Sequence, residues 1–335
     1  MLISTLVALL VAALLSWWFS SSRGRWLVLD IPNERSLHTT PVPRAGGIAI
    51  LAGVVAGFLA SLVLMEETFP APAVFFSILV LAIVSLIDDY GEVGIVVRLL
   101  AQAGVALVLL FALGLVDGNL LVSTILLLFL VWMINLYNFM DGMDGFAGGM
   151  GCIGFTTFAL IAWQNGATEL ALICAITAAA NCGFLLFNFP PARIFMGDTG
   201  STLLGLLAGC VILYSHDSGL VPLWLGILVF SPFFVDATVT LTRRILHLEV
   251  FWKPHKKHYY QRVVQYGWGH GRTVLCEYVL MLACGISVII GVGLPVTGQW
   301  LIIGGWVFIY LLLMVAIQVA EKRKDRLNEI ISSPP

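Results

Sequence analysis

Long apolar runs recur along the whole chain, and this recurrence constrains the fold more than any other feature. A helix needs about 20 apolar residues to cross the hydrocarbon core of a bilayer. Runs near that length occupy residues 1–20, 45–65, 72–87, 97–115, 119–138, 147–163, 169–188, 201–214, 219–241, 274–295 and 299–320. Lipid offers backbone N–H and C=O groups no partner, so each run is expected to be a helix that satisfies its own. The fold class that follows is all-α, a polytopic membrane bundle of eleven transmembrane helices. Of the 335 residues, 60% are hydrophobic and 11% charged, far from a soluble domain. Short connections join the runs, so we expect one integral membrane domain over 1–335.

The cations fix a topology. All 17 Lys and Arg residues lie in alternate connections, 21–44, 88–98, 189–199, 242–273 and the tail after 320. The intervening loops, such as "EETFPAP", "VDGN" and "PVTGQ", hold none. Basic residues stay on the cytoplasmic side, which places the N-terminus outside and the C-terminus inside. One missed span would scatter the charge over both faces. The opening "MLISTLVALLVAALLSWWFS" lacks a basic leader and reads as the first span, retained rather than cleaved. The six cysteines fall in apolar runs without metal-ligand spacing and read as small core residues. A net charge of −2 gives no reason to expect nucleic-acid binding.

The inner connections carry the polar residues, so any chemistry is expected there, in 21–44, 88–98, 139–146, 189–199 and 242–273. "LIDD" ends a helix with Asp88 and Asp89, where negative charge costs about 0.3–1 kcal/mol per residue. Helix stability does not explain that pair, and a nearby cation would. "NLYNFMDGMDG" spaces Asn138, Asp141 and Asp144 three apart, on one face if the helix continued for another turn. A glycine-rich turn with a capping Asp explains these residues equally well.

"FNFPPARIFMGDTGST" places Asn188 at a helix end, Arg193 in the loop and Asp198 just before the next helix. Asp198 is either an N-cap or a ligand to a hydrated magnesium ion beside phosphate. The loop "KPHKKHYYQR" holds His255, Lys257, His258 and Arg262. Two lysines between the histidines argue against a bound metal and for a phosphate clamp. The first inner loop, "LDIPNERSLHTTPVPRAGG", carries Asp30, Asn33, Arg35, Ser36, His38 and Arg44, and is open to both functional and structural readings. Acids for a divalent metal and cations for phosphates, gathered on one face, suit phosphoryl transfer at a membrane surface.

Five motifs in order, "LDIPNERSLHTTPVPRAGG", "LIDD", "NFMDGMDGFAGG", "FMGDTGS" and the histidine-containing basic loop, resemble the polyprenyl-phosphate N-acetylhexosamine-1-phosphate transferases over residues 30–272. The resemblance implies that undecaprenyl phosphate attacks the sugar-linked phosphorus of a UDP-N-acetyl sugar and releases UMP, with magnesium, or manganese in its place, as cofactor. Carried over motif by motif, Asp198 would ligate the metal with Asn138. Asp141 and Asn188 would position nucleotide and diphosphate, while Asp88 and Asp89 would serve the lipid phosphate and the metal's outer shell. Asp144, Arg193, His255, Lys257, His258 and Arg262 complete the implied substrate-binding set.

The loop "HKKHYYQR" lacks the adjacent histidines of the muramoyl-pentapeptide enzymes. It resembles more the O-antigen-initiating branch acting on 6-deoxy sugars such as N-acetylfucosamine, with UDP-N-acetylglucosamine as the alternative donor. The implied location is the bacterial inner membrane with the site on the cytoplasmic face, and a homodimer is compatible with it. The rivals are a flippase for an anionic lipid or sugar, which would hold ionisable groups at the membrane midplane, and a CDP-alcohol phosphatidyltransferase, whose tight Asp cluster is missing.

Overall fold

The computed structural model describes residues 1–21, 29–32, 41–65, 72–91, 93–116, 118–250 and 255–332. Asn33, Arg35, Ser36 and His38 of the first inner loop lie outside the described residues. The helices begin with α1 (Leu2–Ser20), α2 (Gly46–Met65), α3 (Pro72–Tyr90), α4 (Ile95–Ala112) and α5 (Leu120–Phe139). They continue with α6 (Phe146–Gln164), α7 (Thr168–Asn188), α8 (Gly197–Asp217), α9 (Leu223–Val229) and α10 (Ser231–Leu246). Then come α11 (Tyr259–Val263), a π-turn, α12 (Gly269–Val292) and α13 (Val296–Ser332). The short strands β1 (Leu29–Asp30) and β2 (Val42–Pro43) pair antiparallel.

Among the described residues, nine helices are long and apolar enough to cross a membrane, ten with the bent pair α9–α10 counted as one. Helix α3 spans 19 residues of similar character. The protein is an all-α, multi-pass membrane protein. Its centre is α6 and α8, each with 78% of its apolar stretch buried, whereas α13 buries only 6%. On α12 the exposed residues Val279, Leu282, Ile286 and Ile290 recur at helical spacing, a stripe suited to hydrocarbon rather than water.

Helices α2 and α8 touch backbone to backbone where Gly47 meets Gly200. A Cβ on Gly47 would lie 2.2 Å from the Gly200 nitrogen, so only glycine permits this approach. The same region is laced by hydrogen bonds. The Gly46 and Gly47 amides donate to the Phe195 and Met196 carbonyls at 2.9 and 2.7 Å, and the Phe195 amide donates to the Pro43 carbonyl at 2.8 Å. These bonds satisfy the orphan amides at the start of α2 and fix the entry to α8.

Three expectations need correction. The run 219–241 is not one straight helix, because α9 and α10 meet at 90°. Ser231 and Pro232 open α10, and proline, with no N–H to donate, suits a helix start rather than an interior. Helix α8 begins at Gly197, so Asp198 lies inside its first turn rather than before it. Helix α5 ends at Phe139, close to the end of the run 119–138, so the glycine-rich turn holds for Asp141 and Asp144, and Gly145, with φ of 75°, starts α6 from the left-handed region. Helix α13 continues to Ser332, beyond the apolar stretch that suggested 299–320.

Candidate active site

Three chain segments distant in sequence meet at one end of the bundle. The Asn138 Nδ2 at the end of α5 donates to Asp198 Oδ1 at 3.0 Å and to Ser201 Oγ at 2.9 Å, both at the start of α8. At the end of α3, Asp89 accepts three bonds from α8: the Asp198 amide at 3.0 Å, the Thr199 amide at 3.1 Å and the Thr199 hydroxyl at 2.8 Å. Asp89 thus caps α8 from another helix, and its negative charge faces the positive end of the α8 dipole.

Asp88 points elsewhere. Its Oδ1 accepts the Val93 amide at 2.9 Å and its Oδ2 accepts Arg98 Nη1 at 2.6 Å. The same Arg98 nitrogen lies 3.5 Å from Asp198 Oδ2. Arg98 therefore sits between two carboxylates, a role not read from the sequence. The clue was its place in the first turn of the helix after the acid pair. A cleft at this point is lined by Asp88, Arg98, Asn135, Asn138, Asp198 and Thr202.

Asp141 lies in the turn after α5. Burial first, then the nearby Asp198, hold its carboxyl well above the usual carboxylate range; Arg44 opposes this, and Asp89 and Asp30 add to it. Arg44 is itself paired with Asp30 at 3.0 Å. Four carboxylates, Asp88, Asp89, Asp141 and Asp198, thus share a small region with two guanidinium groups.

Asp144 and Asn188 brace this region from behind. Asp144 Oδ2 accepts the Ala192 amide at 3.0 Å, and its Oδ1 lies 3.0 Å from His270 Nδ1. Asn188 accepts the Gly145 amide at 3.0 Å and donates to the Ile194 carbonyl at 2.8 Å. Both tie the 140–145 turn to the 189–196 loop. Arg193 is exposed, its guanidinium 5.0 Å from the centre of the Phe187 ring.

The basic loop forms a second cluster. His258 is buried, with Nδ1 3.3 Å from Asp236 Oδ1, and the His255 ring centre lies 4.8 Å from its own. Burial, then the neighbouring His258 and the cations Arg244 and Lys257, push His255 down to about 4, so the ring is neutral at pH 7. Lys257 pairs with Glu249 at 2.6 Å, and Arg262 pairs through Nε and Nη2 with the two carboxylate oxygens of Glu321 of α13. Two of the expected phosphate cations are therefore already engaged with carboxylates. A cleft of about 310 Å³ opens here beside Arg243, Arg244, His247, Lys256, Lys257 and Arg262. Helix α11 links the two clusters, because the Tyr260 hydroxyl reaches the Phe139 carbonyl at 3.4 Å.

Among the described residues, no group of three or more His, Cys, Asp or Glu forms a metal cage. Magnesium does not need one. It takes one or two carboxylates, keeps waters and binds substrate phosphates. The Asp198 carboxylate with Asn138, beside the further acids Asp88, Asp89 and Asp141, fits such an ion.

The family model for glycosyl transferase family 4 matches residues 71–216. The decaprenyl-phosphate N-acetylglucosaminephosphotransferase of Mycobacterium leprae is 31% identical over 315 residues, covering 81% of this chain and 79% of its own. The chain belongs to the polyprenyl-phosphate N-acetylhexosamine-1-phosphate transferase family. Another member, the probable undecaprenyl-phosphate N-acetylglucosaminyl 1-phosphate transferase of Bacillus subtilis, is 28% identical over 90% of this chain and 86% of its own. Similarity to a phospho-N-acetylmuramoyl-pentapeptide-transferase of the family, from Levilactobacillus brevis, is 31% over 40% of each chain.

Proposed function

We propose that this chain transfers an N-acetylhexosamine 1-phosphate from a UDP-sugar to undecaprenyl phosphate. A lipid phosphate oxygen bonds to the sugar-linked phosphorus, the bond from that phosphorus to the bridging oxygen breaks, and UMP leaves with the electron pair. The observation that carries this reading is the contact of Asn138 with Asp198 inside a group of four carboxylates. Such a group is costly unless a cation joins it, and a diphosphate brings one. Asp198 and Asn138 would hold magnesium, which would offset the charge of the diphosphate when bound.

The second pKa of a phosphate monoester is near 6, so the lipid phosphate is already a dianion at neutral pH and needs little help from a base. Asp88 supports this view, because both of its oxygens are engaged by Val93 and Arg98. We therefore favour direct attack over a base-assisted or aspartyl-phosphate route. Arg98 steadies the acids, Asp144 and Asn188 hold the turn that carries Asp141, and Arg243, beside the His258 loop, offers donors to phosphate.

The distribution of the 17 cations supports a cytoplasmic site in the bacterial inner membrane. Relatives that match most of this chain are named for N-acetylglucosamine, which makes UDP-N-acetylglucosamine the first donor to try, ahead of the 6-deoxy sugars of O-antigen initiation. The test is UMP release by purified protein with magnesium, undecaprenyl phosphate and a panel of both donor types. Release with none of them would overturn the reading in favour of a flippase.

A further inference from the structure

We infer that Asp236 is a positioning residue for His258, and that it fixes which ring nitrogen faces the substrate. The inference rests on the transferase reading only for its kinetic test.

The chain breaks by 90° between α9 and α10, and Asp236 lies on the first turns of α10 after that break. Its side chain is 9% exposed and that of His258 is 6% exposed. Asp236 Oδ1 accepts the Tyr259 amide at 2.9 Å and the Thr240 hydroxyl at 3.0 Å, and lies 3.3 Å from His258 Nδ1. Its Oδ2 accepts the Tyr260 amide at 3.1 Å. One carboxylate therefore anchors the start of α11 and the imidazole that precedes it.

A carboxylate accepts and does not donate, so the 3.3 Å contact with Asp236 is a hydrogen bond only with the proton on Nδ1, although the Gln261 amide also faces the His258 side chain. His258 is thereby held with hydrogen on Nδ1, and Nε2 on the opposite edge is the nitrogen left for a ligand. The Tyr260 ring, with its centre 5.9 Å from that of His258 and its plane 17° away, restricts the imidazole further. The same Tyr260 touches the 139–142 turn through Phe139, so the orientation of His258 is coupled to the turn that carries Asp141. The arrangement follows the logic of a carboxylate that orients a catalytic histidine.

Two measurements test this. Nitrogen-15 NMR of histidine-labelled full-length protein, in detergent without substrate, should find His258 protonated at Nδ1; a bare Nδ1 would overturn the inference, whatever the enzyme assay shows. In UMP-release assays, Asp236→Asn and His258→Ala should each lower kcat by roughly 10- to 100-fold. Combined, the two changes should cost no more than His258→Ala alone. Additive losses would make Asp236 a structural anchor only, and a His258→Ala enzyme with unchanged kcat would equally sink the assignment. If the wild-type protein releases no UMP with any donor, the transferase reading fails while the NMR result still decides the orientation of His258.

Discussion

The amide nitrogen of Asn138 lies 3.0 Å from Oδ1 of Asp198, although 60 residues separate them. The contact joins the end of α5 to the start of α8, and with Asp89 reaching in from α3 it gathers three helix ends around one carboxylate. Asp198 is crowded by like charge there, and among the described residues Arg98 alone touches it with the opposite sign. A residue kept in such surroundings serves something other than stability.

Asp198→Asn is accordingly expected to separate activity from folding. The amide retains a polar partner for Asn138 and removes one negative charge from the group. UMP release should fall by at least about 100-fold, the scale of losing one electrostatic contact in a transition state, while the melting temperature in detergent stays level or rises. Magnesium should raise the melting temperature of the wild-type protein and leave that of the variant unmoved. An active variant, or one stabilised by magnesium like the wild type, would remove Asp198 from the metal.

Asp89 predicts the opposite pattern. Its carboxylate takes two amides and a hydroxyl at the start of α8. Asp89→Ala should cost about 1–2 kcal/mol, as for loss of a helix cap, and lower activity as well, because the capped turn carries Asp198. Thermal melting and UMP release measured on the same preparation check this. Unchanged melting would show that the cap contributes nothing to holding α8.

Much of this was legible in the sequence, for a physical reason. Hydrocarbon forces each span to be apolar over a fixed length, so the eleven runs correspond to α1 to α8, the pair α9–α10, α12 and α13. The clustering of acids at helix ends was equally visible, because charge stands out in such a chain. What could not be read was pairing across the bundle. Nothing in the spacing of "LIDD" says that Asp89 caps a helix more than a hundred residues away while its neighbour Asp88 holds Arg98. Arg98 passed as one more cation of an inner loop, and Arg262 as a phosphate ligand, though it faces Glu321. The break before α10 at Ser231-Pro232 was not read from the run 219–241. Asp236 lies within the run 219–241, and its task depends on where α11 comes to rest, which is a tertiary fact.

His255 gives a pH prediction. It is pushed down to about 4, below the ordinary histidine value near 6.5. Protonation thus favours the unfolded chain. The stability linked to this ring is fully present above about pH 6.5, and is lost as pH falls through that value toward 4. His255→Asn should flatten the acid limb of a stability-against-pH curve between those limits and leave the curve above pH 7 unchanged. NMR titration should find the ring neutral at pH 6. A ring found charged there would mean that burial is not what sets its protonation.

The contact of Gly47 with Gly200 gives the last prediction. A Cβ on Gly47 would lie 2.2 Å from the Gly200 nitrogen and 2.6 Å from its Cα, and neither backbone atom can swing aside as a side-chain tip would. Gly47→Ala must therefore push α2 and α8 apart. The amides of Gly46 and Gly47 bond to Phe195 and Met196, so the strain passes to the segment leading directly into Asp198. We expect a loss of about 1–3 kcal/mol, typical of overpacking, together with a fall in UMP release. Gly94→Ala is the control, because a Cβ there meets nothing within 4 Å. Equal behaviour of the two variants would show that the close approach of α2 to α8 does not position the site.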